Sequence, residues 1–368
     1  MKPFDFYSGD DCLLYDRLDK LSLAPELDFG ALPLAPFARD YEVSVPDEEY
    51  SFLHEAAVVE YHGRLFASWY NNSRFELTGR TPIRGRHSDD GGKTWSPVKV
   101  LADDPSGEVL YCPPVYGVCD DTLYLFMNRM TGPDLIQALD LYRYDEKTDA
   151  FVFLHSEPSL FKLNTNVCVL PDGKLLLPGR IGERGVIPGI PAVMISDSGN
   201  IDAPWRVVKV QPDDRLPDGT RFIHPETSAI VNGRTVLLFC RDDERRVPLV
   251  YRSDDCGEHW SAPLAVDIPF SASKIYAGTL SDGRNYVVGN LYPGRNRLAL
   301  LLTEPGQLVF TKGYILQDGL NAALGYGVCW HYPCVCEGGG NLNVICTVSH
   351  EDFARRGAVL TVLPLDRL

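Results

Sequence analysis

Residues 88 to 95 read Ser-Asp-Asp-Gly-Gly-Lys-Thr-Trp, and residues 253 to 260 return to the same form as Ser-Asp-Asp-Cys-Gly-Glu-His-Trp. Each copy follows a short apolar and basic stretch (Ile83 to His87; Leu249 to Arg252) and leads into a serine, a proline and a Val/Leu/Ile run, so each sits at a strand-turn-strand corner. The chemistry of the run is that of a turn. Asp90 and Asp255 are placed to accept backbone N–H groups, Gly92 and Gly257 to take positive φ, and Trp95 and Trp260 to bury an indole between strands. A looser third copy begins at Ser196-Asp197-Ser198-Gly199, with Trp205 beyond it.

Working outward, a unit of roughly 45 to 60 residues recurs, each pass a strand, a tight turn, an apolar strand ending in polar groups, a loop and another strand. The passes begin near Phe52, Leu110, Leu163, Phe222, Ser271 and Gly327. Five of the first turns are legible: His62-Gly63, Asp120-Asp121, Asp172-Gly173, Asn232-Gly233 and Asp282-Gly283. Asn-Gly and Asp-Gly are strong hairpin signals. No long amphipathic helix interrupts them, and 32 glycines with 27 prolines favour an all-β chain. Six passes of this kind predict a six-bladed β-propeller with four-stranded antiparallel blades, a single domain over residues 51–368. Residues 1–50, with Tyr41 to Val45 alternating, are expected to supply part of the closure of the last blade.

Composition narrows the function. The 368 residues are 45% hydrophobic and can bury a large core, and the net charge of −15 disfavours nucleic acid, whose binders carry a basic face. No apolar run is long enough for a membrane span and the N-terminus lacks a signal-peptide pattern, so the chain reads as cytoplasmic, or as secreted or periplasmic had a leader been removed. The ten cysteines fall irregularly, often within apolar runs, and read as reduced core thiols. Cys334 and Cys336 are one residue apart on a strand and point to opposite faces, so no zinc is expected. Asp103-Asp104, Asp213-Asp214 and Asp242-Asp243-Glu244 lack calcium-loop spacing, and no cofactor is expected.

In a propeller, loops leaving one end of the innermost strands build a pocket on the axis. At that end of the first strands stand His54 and Glu55, Asn164 and Asn166, His224 and Glu226, Lys274, and His331 and Tyr332. At the exits of the second strands stand Tyr70 to Asn72, Arg129, Arg180, Arg241 with Asp242, and Tyr292 with Arg297. A rim so furnished points to recognition of a polar ligand. The Gly- and Pro-rich stretch from Ile181 to Pro191 reads as a loop that sets how closed the pocket is.

The Ser-x-Asp-x-Gly-x-Thr-Trp run resembles the Asp-box of sialidases and related propeller proteins, met in full at residues 88–95 and with His259 in place of the usual Thr in the second copy. The resemblance extends over most of the chain, roughly residues 50–368. Glu226, the Asn232-Gly233 hairpin and Arg241 are similar to a Glu-hairpin-Arg segment of the family. Arg297 before Leu298-Ala299-Leu300 is similar to a further family Arg, and Tyr332 to the family's nucleophilic Tyr near the C-terminus. The resemblance implies a glycosidase in which Tyr332 attacks the anomeric carbon with Glu226 as its base, a recognised exception to the two-carboxylate pattern, and in which Arg241 and Arg297 hold a substrate carboxylate.

Two family features are missing. The opening Phe-Arg-Ile-Pro corresponds to Phe52-Leu53-His54-Glu55, without the Arg, and residues 69–82 hold no Asp for the acid/base role, leaving Glu76 or His54 to protonate the leaving group. The expected activity is therefore removal of a terminal sugar, acidic or neutral, from an oligosaccharide or glycoconjugate. Two alternatives stand beside it: a propeller polysaccharide lyase acting on uronates with a His/Tyr base (His224, Tyr332, with Arg241 on the carboxylate), and a non-catalytic carbohydrate-binding propeller.

Overall fold

The computed structural model describes residues 18–183, 186–217, 219–243, 248–321, 326–350 and 352–368. The local chemistry of the turns comes first. At His62-Gly63, Asp120-Asp121 and Gly339-Gly340 both central residues take positive φ, between 47° and 78°, the conformation whose twist suits a two-residue hairpin. At Asp172-Gly173, Asn232-Gly233 and Asp282-Gly283 the glycine alone does so.

These hairpins open four-stranded antiparallel sheets, six in all, so the chain folds as a six-bladed β-propeller with almost no helix. It divides into two compact units. One holds three of these four-stranded sheets: Phe52–Tyr61, Arg64–Asn72, Ile83–Ser88 and Lys99–Ala102; then Leu110–Cys119, Thr122–Met130, Ile136–Asp145 and Ala150–Pro158; then Cys329–Gly338, Asn341–Ser349, Arg356–Pro364 and Arg39–Ser44. In the third of these the outer strand comes from the N-terminal segment, Tyr41 pairing with Leu360.

The other unit holds the sheets built on Leu175–Glu183 and Val186–Ser196, on Thr227–Asn232 and Thr235–Cys240, and on Tyr276–Thr279 and Asn285–Asn290. Lys20–Leu21 adds a parallel edge strand beside Ala265–Val266. Asp267 fixes that edge by accepting the N–H groups of Leu23 and Ala24 at 2.7 and 2.9 Å. Two apolar clusters fill this unit. One surrounds Phe222, Leu238 and Tyr251, the other Phe239, Phe270 and Phe310, in strands whose side chains are apolar on both faces.

Both full Asp-box runs are built alike. Ser88 Oγ donates to Asp90 at 2.8 Å and accepts the Gly92 N–H at 2.8 Å, and Asp90 takes the Thr94 N–H at 2.9 Å and the Thr94 hydroxyl at 2.6 Å. In the second copy His259 replaces Thr and makes the same pair of contacts, through its N–H at 2.9 Å and its ring Nδ1 at 2.6 Å to Asp255. The expected burial of the two indoles is only half met: Trp95 and Trp260 are partly exposed, and Trp260 Nε1 donates to the Gly257 carbonyl.

The looser third copy keeps one contact of the turn, Ser196 Oγ lying 3.3 Å from Ser198 Oγ, while Asp197 pairs with Arg206 at 2.7 Å. One reading needs correction. Ile181 to Pro191 is not a loop, because Leu175–Glu183 and Val186–Ser196 pair as far as Glu183 and Val186, which makes it a long hairpin. Residues 184 and 185, and Glu244, lie outside the described residues.

Candidate functional site

In the unit that carries Tyr332, inner-strand side chains converge in the protein interior. His54, Glu55 and Tyr332 are all buried. The imidazole of His54 lies 4.3 Å from the Tyr332 ring centroid, planes inclined by 39°, with Tyr70 and His331 each 5.9 Å away as edge contacts. His331 is fixed by Ser349 Oγ at 2.7 Å from its Nε2. The Tyr70 hydroxyl donates to Glu76 Oε1 at 3.0 Å. Burial drives the Tyr70 phenol well above its ordinary ionisation range, and the charges of Glu76, Cys112, Glu55 and Tyr332 push the same way, so Tyr70 stays a donor.

Cys112 and Lys162 join this cluster without having been singled out as site residues from the sequence. Cys112 Sγ donates to Glu55 Oε1 at 3.4 Å, and Lys162, only 4% exposed, points its ammonium at the Cys112 carbonyl oxygen, 3.1 Å away. Burial raises the Cys112 thiol well above its ordinary range despite the opposing pull of Lys162. A usable signal was present: Cys112 and Tyr332 each precede a proline, Pro113 and Pro333, at corresponding places in their strands.

Asn166 and Arg129, in the same unit, stand elsewhere. Asn166 is spent on backbone, donating to the Val58 carbonyl and accepting the Tyr116 N–H, both at 3.0 Å. Arg129 turns toward the outer strands of its sheet, to Ser156 Oγ at 3.1 Å and Asp140 at 3.8 Å.

The other unit carries a second buried polar cluster. Glu226 precedes Thr227–Asn232 and Arg241 follows Thr235–Cys240, and the strand pairing sets them side by side, with the Arg241 N–H on the Glu226 carbonyl at 3.0 Å. Arg241 Nη1 donates to Glu226 Oε2 at 2.7 Å, while Nε donates to Asp243 Oδ1 at 2.8 Å and Nη2 to the same oxygen. Asp243 also accepts the N–H and ring Nδ1 of His224, both at 3.1 Å. Burial works to raise the Glu226 carboxyl, but Arg241, Lys274 and Arg180 outweigh it and hold it below the usual range. Asp242 is buried beside them, and its charge helps keep the Cys240 thiol protonated. Arg297 faces Asp318 across its sheet at 3.5 Å.

The comparisons with known proteins agree with this architecture. Residues 63–342 match the family described as BNR repeat-like domain, and the chain belongs to that family. Among solved structures it is similar to a protein of unknown function from Dyadobacter fermentans (14% identity, 90% of this chain, 100% of that one, TM-score 0.70). It is also similar to the Trypanosoma rangeli sialidase in complex with sialic acid (16%, 90% of this chain, 60% of that one, TM-score 0.66) and to the Hadza microbial sialidase Hz136 (14%, 89% and 69%, TM-score 0.68). The chain thus spans about 60% of the length of the trypanosome enzyme, and at these identities the likeness is one of fold. No curated protein matches.

Proposed function

We propose that the chain is a sialidase-like glycoside hydrolase that releases a terminal sugar from an oligosaccharide or glycoconjugate, with Tyr332 as nucleophile. The observation that carries this reading is the setting of Tyr332. It is a phenol at 8% exposure, at positive φ on an inner strand, packed on His54 and surrounded by ionisable groups, where an apolar side chain would satisfy packing alone. Its phenol bonds to the anomeric carbon as the glycosidic oxygen departs, and its proton passes to a carboxylate. His54 and Glu76 are the candidates for protonating the leaving oxygen, and hydrolysis of the glycosyl-tyrosine restores the enzyme.

The arginine-bearing cluster has a separate task in this reading. Arg241 donates to both Glu226 and Asp243, so it orients those two carboxylates. Supporting the reading are the family membership and the sialidase-like fold.

A second reading, a uronate lyase, draws support from the same His54–Tyr332 contact, since an imidazole beside a phenol is also a proton-abstracting pair. Mass spectrometry of products from sialylated, uronate-containing and neutral oligosaccharides, for the parent and Tyr332→Phe, separates them. A released intact sugar that Tyr332→Phe abolishes supports the hydrolase. An unsaturated product supports the lyase, and no product from any glycan points to a binding protein.

A further inference from the structure

Three first strands of the unit that carries Tyr332 break register at the same place. Pairing skips between His54 and Ala57, between Tyr111 and Pro114, and between His331 and Cys334, and in each case two residues stand opposite one on the neighbouring strand. Each break is a one-residue β-bulge, a device that re-aims a side chain. The bulges present Glu55, Cys112 and Tyr332: a carboxyl, a thiol and a phenol. Glu55 and Tyr332 sit at φ 48° and 51°, a conformation that strains a non-glycine residue and survives where the surroundings impose it.

We infer that Glu55 is the carboxylate that takes the phenolic proton of Tyr332, a further catalytic residue for the reaction proposed above, on which this inference rests. Its placement supports the role. His54, the residue before Glu55, packs its ring on Tyr332, and Glu55 and Tyr332 both act on the buried phenol of Tyr70, so both lie around one side chain. The Cys112 thiol, kept protonated by burial, donates to Glu55 at 3.4 Å and orients it, and Lys162 in turn holds Cys112 through its carbonyl oxygen. Glu226, the base implied by the family resemblance, is tied to Arg241 and held as a stable carboxylate, which weakens it as a proton acceptor.

The step balances without an outside reagent. The Tyr332 oxygen bonds to the anomeric carbon, the bond from that carbon to the glycosidic oxygen breaks, and the phenolic proton moves to Glu55. The departing oxygen is protonated by the leaving-group acid. When water attacks the glycosyl-tyrosine, Glu55 returns its proton to the tyrosine oxygen as that bond breaks, and the water's spare proton restores the acid.

The test uses the full chain as the parent, Glu55→Gln and Glu55→Asp, with thermal melts to confirm folding. Substrates come from the product panel, and 13Cζ-tyrosine NMR follows Tyr332, assigned with Tyr332→Phe. Glu55→Gln is expected to lower turnover by about 10²- to 10⁴-fold, the usual weight of a general base, with Glu55→Asp recovering part of it. Removing the neighbouring negative charge should also let Tyr332 ionise at lower pH in Glu55→Gln than in the parent. Unchanged turnover in a folded Glu55→Gln, or an unmoved Tyr332 titration, overturns the inference while leaving Tyr332 as nucleophile intact. A parent that cleaves no glycan overturns the hydrolase reading and the catalytic role with it, and the titration then still reports whether the two groups are neighbours.

Discussion

The imidazole of His54 lies against the phenol of Tyr332, ring centroids 4.3 Å apart, and fills the space between Tyr332, Tyr70 and His331. His54→Ala is therefore expected to leave a cavity on one side of Tyr332. Truncating a large buried side chain to alanine costs about 2–5 kcal/mol, measurable by chemical denaturation, and kcat should fall with it because the phenol loses its support. His54→Phe, which keeps a ring, should recover most of the stability. Full turnover in His54→Phe would remove His54 from the proton-transfer chemistry and leave it a packing residue.

Gly92 shows how the repeated turn is locked to its surroundings. It takes φ 90°, and a Cβ built there falls 2.3 Å from Leu360 Cδ2, whereas the neighbouring Gly91, at φ 73°, has nothing within 4 Å. Gly91→Ala thus isolates the backbone strain, roughly 1–3 kcal/mol, and Gly92→Ala adds a steric clash to it. The ordering of the two melting temperatures checks this, with Gly92→Ala the lower. Equal losses would mean that Leu360 yields without cost.

The His259 substitution makes the second turn sensitive to pH. The bond to Asp255 raises the His259 imidazole above its ordinary range, while Asp255, despite burial pulling upward, is brought down to about 2 by His259 and Ser253. The signs run opposite ways. The histidine's contribution is complete below its unfolded value and is lost as pH rises through its raised folded value; the aspartate's is complete above its ordinary range and is lost as pH falls toward about 2. The pair is intact between those limits. An NMR titration should find His259 ionising above a free histidine, and Asp255→Asn should return it to the ordinary value. His259→Thr should keep the turn and abolish the dependence above neutrality.

Much of this fold was legible because its signals are local. Asp-Gly and Asn-Gly pairs fix hairpins within four residues, and an Asp-box closes on itself, so sequence spacing alone marks six sheets. The site was legible only in part. Tyr332, Glu226 and Arg241 stand out because strand pairing places them at the ends of apolar runs. The partners that decide their chemistry are remote in sequence: Lys162 reaches Cys112 across fifty residues, and Cys112 reaches Glu55 across fifty-seven. Nor does spacing reveal that Asp243 occupies the guanidinium edge of Arg241, or that Asn166 is consumed by the backbone of Val58 and Tyr116.

The Glu226–Arg241 pair yields the sharpest stability prediction. Both groups are almost fully buried and joined at 2.7 Å, so removing the carboxylate takes away one of the two counter-charges of Arg241 and leaves Asp243 as the other. Glu226→Ala is expected to destabilise by about 3 kcal/mol, the low end for breaking a buried pair because Asp243 stays on Arg241, whereas replacing both residues with apolar side chains of similar size, which leaves Asp243 to His224, should restore part of the loss. The carboxyl is held below its usual range, so its contribution is present at neutral pH and disappears as pH falls through the folded value. Denaturation of the parent, Glu226→Ala and the Glu226→Met/Arg241→Leu double variant, repeated at neutral and acid pH, reads both effects. The parent should lose stability in acid and the double variant much less; equal acid sensitivity would place the titrating carboxylates elsewhere. A stable double variant that has also lost turnover would show that the pair is kept for function rather than for folding.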